Sequence, residues 1–260
     1  MKTRAAAATC TLLGGCLAVA LSLHPKNARG ADPAPAEART DFQFALLRYP
    51  GGTYNPRPRG LERLAWEIRK RTSIAASLDV ATVDVDHEDL LAYPLLVWQG
   101  DRAFPALPEV AIGLLRQHLV RGGTLLVDVS DGLAGGPFDT SVRRELARVL
   151  PGATLGRIDP DHVVYKSFYL LDRHGGRVPT KPYLEGMFVG GRLAVVMSSN
   201  DLAGAMARDE FGRWEYDVGV GGESTREMTF RLGVNVAMYA LCLDYKDDQV
   251  HIPFILQRRR

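Results

Sequence analysis

Asp128, Ser130 and Asp131 stand within four residues, in the stretch Val127-Asp128-Val129-Ser130-Asp131-Gly132 at the end of an apolar run. A hydroxyl among carboxylates is the raw material of nucleophilic or metal-assisted hydrolysis. Ser130 as a nucleophile needs an imidazole base, and His162 and His251 are the candidates. No G-x-S-x-G turn frames Ser130, so a turn or helix-capping hydroxyl is the plainer reading. Asp128, Asp131 and Asp139 with His162 make an oxygen-rich ligand set. Their spacing matches no standard metal loop, and carboxylates at strand ends also cap helices, so no metal is assigned.

A second group of chemistry-bearing residues is Gly51-Gly52 with Arg57 and Arg59. A glycine turn beside guanidinium groups suits an anion held by backbone N–H and a planar fork. The pattern is neither a dinucleotide fingerprint nor a phosphate loop, and a solvated surface loop fits it equally well. Asp101 follows Gly100 at the end of another apolar run. Loops beyond the carboxyl ends of parallel strands carry function. Arg57, Asp101, Asp128, Asp131 and His162 are therefore expected to line one concave ligand-binding site. Mixed charge there suits a polar ligand or a partner segment, not a lipid. No cofactor is implied. Residues 162–169 interleave polar and aromatic side chains, as a groove lining or as a strand packing alternate aromatics. Asn235, in an apolar helix, needs hydrogen-bond partners and reads as structural. Cys242, on an apolar face, is expected to be buried and inert.

The elements that must position these residues follow from periodicity. Residues 42–48 and 80–85 have strand character, and 95–98 (LLVW) and 124–129 (TLLVDV) are apolar throughout, as in a parallel sheet buried on both faces. Leu61, Leu64, Ala65 and Ile68 repeat at helical spacing, as do Ala111, Leu114, Leu115 and Leu119, and then Val142, Leu146, Val149 and Leu150. Residues 183–189 and 193–198 flank Gly190-Gly191-Arg192 and read as a hairpin. A long helix is expected over about 228–243. This alternation predicts an α/β fold: a mainly parallel open sheet with helices on both faces, flavodoxin-like, with a hairpin and long helix in the C-terminal half.

The first thirty residues differ from the rest. Lys2 and Arg4 precede a run over 5–23 of apolar or small residues, followed by Ala28-Arg29-Gly30-Ala31. That order is a secretory signal peptide cut after Gly30. An uncleaved membrane anchor is the alternative. A third is a lipoprotein box at Leu13-Gly14-Gly15-Cys16, although the chain stays apolar after Cys16. Residues 31–40, rich in Ala and Pro, read as a linker, and 41–260 as a single α/β domain. The expected location is therefore the periplasm or the exterior, with membrane attachment only if the segment is uncleaved or lipidated. Four of the 32 basic residues (Lys2, Arg4, Lys26, Arg29) and none of the 30 acidic ones lie in the signal, which leaves 28 against 30. Such a balance gives no ground for a nucleic-acid partner. Cys10 and Cys16 leave with the signal, so Cys242 has no partner for an intrachain disulfide.

Several segments together resemble a bacterial family, domain of unknown function 4159. They are Phe42-Gln43-Phe44-Ala45 with Tyr49, Tyr93-Pro94 leading to Gly100, and Gly122-Gly123 with Asp128, Phe138 and Arg143-Arg144-Glu145-Leu146. Asp161-His162-Val163-Val164-Tyr165-Lys166-Ser167-Phe168-Tyr169 adds to these. The most specific is Leu232-Gly233-Val234-Asn235 followed by Tyr239-Ala240-Leu241 and by residues 245–254 (YKDDQVHIPF). The resemblance implies a class I glutamine amidotransferase-like fold and carries no activity. Where that family tends to have a His after the Gly at Gly100, this chain has Asp101. Where it tends to have a second acidic residue after Asp128, this chain has Val129 and then Ser130-Asp131. Roles tied to those two positions do not transfer. The amidotransferase fold sets its nucleophile on a turn after a central strand, and the turn after 124–129 holds no Cys. Amidotransferase chemistry is therefore not expected. The function expected is a non-catalytic binding or assembly module of the cell envelope, with a polar ligand or envelope protein as partner. The alternative is a hydrolase using Ser130 or a carboxylate/His metal site in the same crevice.

Overall fold

The computed structural model describes residues 42–242. The apolar runs of the sequence form β1 (Ala45–Arg48), β2 (Ala81–Asp84), β3 (Leu95–Gly100) and β4 (Thr124–Val129). Every residue of β3 and β4 is buried, which places them in the interior of the sheet. The helical stripes form α1 (Gly60–Arg71), α2 (Glu109–Val120) and α3 (Pro137–Val149). α1 buries Leu61, Leu64, Ala65 and Ile68. Its Glu62 in the first turn and Arg69, Lys70 and Arg71 in the last complement the helix dipole. α3 opens on Pro137, where the missing N–H costs nothing, and ends just before Pro151.

The later half adds β5 (Gly156–Arg157), β6 (Glu185–Val189), β7 (Arg192–Ser198), α4 (Leu202–Met206) and α5 (Gly222–Leu241). β6 and β7 form the expected hairpin. Its two-residue loop is Gly190-Gly191 with φ of 56° and 82°, the left-handed pair that a tight hairpin turn requires.

The strands form one seven-stranded sheet in the order β2-β1-β3-β4-β7-β6-β5. β1 pairs in parallel with β2 and β3, β3 with β4, and β4 with β7. β6 and β5 complete one edge in antiparallel fashion. The order 2-1-3-4 followed by the next parallel strand is the flavodoxin-like winding. α1, α4 and α5 cover one face over Leu46, Val97 and Leu126. α2 and α3 cover the other over Leu96, Trp98 and Val127.

Four local differences from expectation appear. β5 and α4 were not foreseen, being too short to show a period. Residues 162–169 are not a strand: Val163–Tyr165 is one 3-10 turn, and the chain then turns back. The Asn235 side chain holds that return, its Oδ1 accepting from Phe168 and Tyr169 N–H (3.2 and 2.8 Å) and its Nδ2 donating to the Tyr169 carbonyl (2.9 Å). Cys242 is partly exposed at the end of α5, not buried, because the helix stops beside it. The proposed signal, linker and His251 lie outside the described residues.

Candidate functional site

The carboxyl ends of β4 and β7 carry a buried charge cluster. Along β4, Leu126 faces α1 and α5, so alternation turns Asp128 to the same side. Its carboxylate accepts from the Leu202 and Ala203 N–H groups at the start of α4, at 2.8 and 2.9 Å. The residue before α4, Asp201, is fully buried and sits at φ 53°, a left-handed position that Asp tolerates better than most residues. Its side chain caps the helix by accepting from Gly204 N–H (3.0 Å). It also receives the Arg57 Nε–H on both oxygens (3.1 and 3.0 Å) and the Arg177 Nε–H. Arg57 goes on to donate to the Ser130 carbonyl (2.7 Å) and stacks on the Tyr216 ring at 4.5 Å. Two carboxylates are thus matched by two guanidinium groups. Burial first, and then the nearby Asp201 charge, push the Asp128 carboxyl up to about 7, against the pull of its two backbone donors and Arg57.

Of the five expected site residues, Arg57 and Asp128 meet around Asp201 and the β4 end. Asp131 and Asp101 stand in the loops just beyond β4 and β3. Asp131 accepts from Leu133 N–H (3.1 Å), and burial, with the Asp101 and Asp139 charges adding to it, raises its carboxyl. Asp101 lies beside Arg102 (3.3 Å).

His162 is not brought to this group. Its ring lies 5.7 Å from Phe188 and 5.8 Å from Tyr239. Both of those residues meet Leu193, Phe188 by strand register and Tyr239 through its hydroxyl (3.0 Å). Leu193 precedes Ser198, the register partner of Asp128, by five residues, which is roughly 16 Å of strand. His162 therefore packs toward the opposite end of the sheet. Its Nδ1 accepts from Val164 N–H (3.1 Å), and burial pulls it down to about 4, so it is neutral at pH 7.

Ser130 is buried, and its hydroxyl donates to the Asp128 carbonyl (3.3 Å). Beyond the ends of β1 and β3, Tyr49, Phe104 and Phe138 pack together beside Trp98. The Tyr49 hydroxyl donates to the Gln99 carbonyl at 2.7 Å. Gly100 is required there: a Cβ would stand 2.1 Å from the Phe138 ring. Among the described residues no group of three or more His, Cys, Asp or Glu stands together to hold a metal ion.

Sequence reasoning missed Asp201 and Arg177. The polar run Ser198-Ser199-Asn200-Asp201, directly after a buried strand, was the available signal for the first. It also missed Gln99, 1% exposed, whose two amide atoms have no hydrogen-bond partner although Asp128 is its register neighbour.

Fold and site together define an α/β protein of the open, mostly parallel kind, with Asp201, Arg57 and Arg177 paired at the carboxyl end of its sheet. The family model described as domain of unknown function (DUF4159) matches residues 43–241, and the chain belongs to that family. No curated protein matches it.

Proposed function

We propose that this chain is a non-catalytic binding or assembly module of the cell envelope, exported to the periplasm or the exterior, on an amidotransferase-like sheet without the nucleophilic Cys. One observation carries the reading: Asp128, Asp201, Arg57, Arg177 and Ser130, the groups a hydrolase would need at the ends of β4 and β7, are committed to holding the fold. Asp128 anchors α4, Asp201 ties down Arg57 and Arg177, and the Ser130 hydroxyl bonds its own chain. Hydrolysis by Ser130 needs an accessible hydroxyl and an imidazole within hydrogen-bond reach. His162 packs toward the other end of the sheet. The raised Asp128 and Asp131 carboxyls favour acid–base chemistry, yet both Asp128 oxygens are occupied and it is 1% exposed, and Asp131 is turned to the Leu133 N–H. The envelope location rests on the order of residues 1–30.

The test is covalent labelling. The purified chain and its Ser130→Ala variant are treated with a fluorophosphonate, and the labelled peptide is mapped. We expect no adduct at Ser130 in the native protein. Stoichiometric labelling of Ser130 that disappears in the variant replaces the module with a hydrolase.

A further inference from the structure

Away from the strand ends, a cleft of about 420 Å³ opens along α1, between that helix, the turn before β2 and the hairpin that follows α4. Arg59, Arg63, Trp66, Leu78 and Arg208 line it, with carboxylates at Glu62, Asp79 and Asp209. The guanidinium groups are under-compensated. Arg208 donates to the Gly212 carbonyl (3.0 Å) and stacks on Trp214 at 4.0 Å, but its Nε is buried without an acceptor. Among the described residues no carboxylate lies within ion-pair reach of it. Arg63 pairs with Glu67 and stacks on Trp66 at 4.0 Å, and its Nε is also buried without an acceptor. Burial first, and then the charges of Arg208 and Arg71, hold the Arg63 guanidinium below its usual range despite Glu67. Arg59 reaches Glu215 only at 3.5 Å.

The carboxylates of the cleft do not answer this demand. Asp209 is turned to Arg213 and to the N–H groups of Phe211 and Arg213 in its own hairpin. Glu62 and Asp79 stand exposed at the rim, where water and salt screen them. Beside the arginines, Trp66 and Leu78 leave large apolar side chains 37% and 41% exposed. We propose that this cleft is a binding site for an oxyanion group (phosphate, sulfate or carboxylate), held by Arg63, Arg208 and Arg59, with an apolar part of the same ligand lying on Trp66 and Leu78. An oxyanion gives the Arg208 guanidinium the anionic partner that no carboxylate among the described residues supplies and relieves its repulsion with Arg63, and charge-assisted bonds of this kind are the strong ones. The site does not depend on whether the strand-end cluster is catalytic.

The three tryptophans supply the readout. Trp66 lines the cleft and Trp214 lies between Arg208 and Arg226, whereas Trp98 is buried under the other face of the sheet. The full chain is titrated with inorganic phosphate, sulfate and acetate at fixed ionic strength while Trp emission is followed. We expect a saturable change with at least one of them, and the ranking tells phosphate or sulfate esters from carboxylates. Arg208→Gln should weaken that response by about ten-fold or more, and Arg102→Gln, outside the cleft, should not change it. Arg59→Gln, at an exposed side chain with one long contact, should weaken it about three-fold with the fold intact, and it decides the matter if Arg208→Gln does not fold. No saturable response to any of the three anions overturns the proposal. So does equal weakening by the cleft variants and Arg102→Gln.

Discussion

His162 and Asp128 are both buried titratable groups, and burial acts on their proton equilibria in opposite senses. The His162 imidazole is pulled down to about 4, so between pH 4 and its ordinary 6.5 the unfolded chain binds a proton that the folded chain does not. Its contribution is fully present above that window and is lost as pH falls through it, a span of about 3 kcal/mol by linkage. The Asp128 carboxyl is pushed up to about 7, so between about 4 and 7 the folded chain binds the extra proton. Its contribution is present at low pH and is lost as pH rises toward 7. The two trends oppose each other across the same range. We expect the wild-type unfolding midpoint to vary weakly from pH 4.5 to 6.5. His162→Asn, which keeps an acceptor for the Val164 N–H, should instead lose stability steadily as pH rises. Urea midpoints at half-unit pH steps check this, and a variant curve parallel to wild type counts against the buried, neutral imidazole.

At the scale of elements, α4 has five residues and no stability of its own. Its place is set by what holds its first turn: the Asp128 carboxylate on two N–H groups, the Asp201 cap on a third, and a close fit against α1. A Cβ on Gly60 would stand 2.6 Å from the Ala203 carbonyl oxygen, so only glycine lets the two helices approach. Asp201→Ala removes the cap, strands Arg57 and Arg177, and leaves a left-handed backbone that Ala adopts poorly. We expect a loss on the order of 4 kcal/mol in urea unfolding. Asp201→Asn keeps the cap and the backbone preference and should lose about half as much. Losses below about 1 kcal/mol in both variants remove the cluster as the anchor of α4. The hairpin is the contrasting case, since Gly190-Gly191 between two apolar runs specifies its turn without help from the rest of the chain.

At the scale of the molecule, one sheet carries helices on both faces, and no helix among the described residues is long and apolar enough to cross a membrane. The expectation of export rests on residues 1–30, where Lys2 and Arg4, the apolar run and Ala28-Arg29-Gly30-Ala31 stand in the order of a secretory signal. In a Gram-negative host, N-terminal sequencing should find the mature chain beginning near Ala31 outside the cytoplasm. An intact Met1 on soluble cytoplasmic protein refutes the signal. Cleavage there would also take four basic residues and no acidic ones, which would leave a slightly acidic chain.

The sequence by itself determined the interior strands, the three amphipathic helices and the hairpin. Each is written in side-chain period or turn chemistry within a dozen residues, and backbone geometry converts that pattern directly into structure. It also brought Arg57 and Asp128 under suspicion together, because Arg57 follows, and Asp128 lies near the end of, an apolar run that had to become a parallel strand. Only the tertiary structure decided what those charges do. Arg57 meets Asp201 across 144 residues, and Asp128 meets Leu202 across 74. His162, read as reaching the same crevice, packs on Phe188 and Tyr239 instead. Such pairings depend on sheet order and register, which emerge only when the whole core closes, and no local period encodes them.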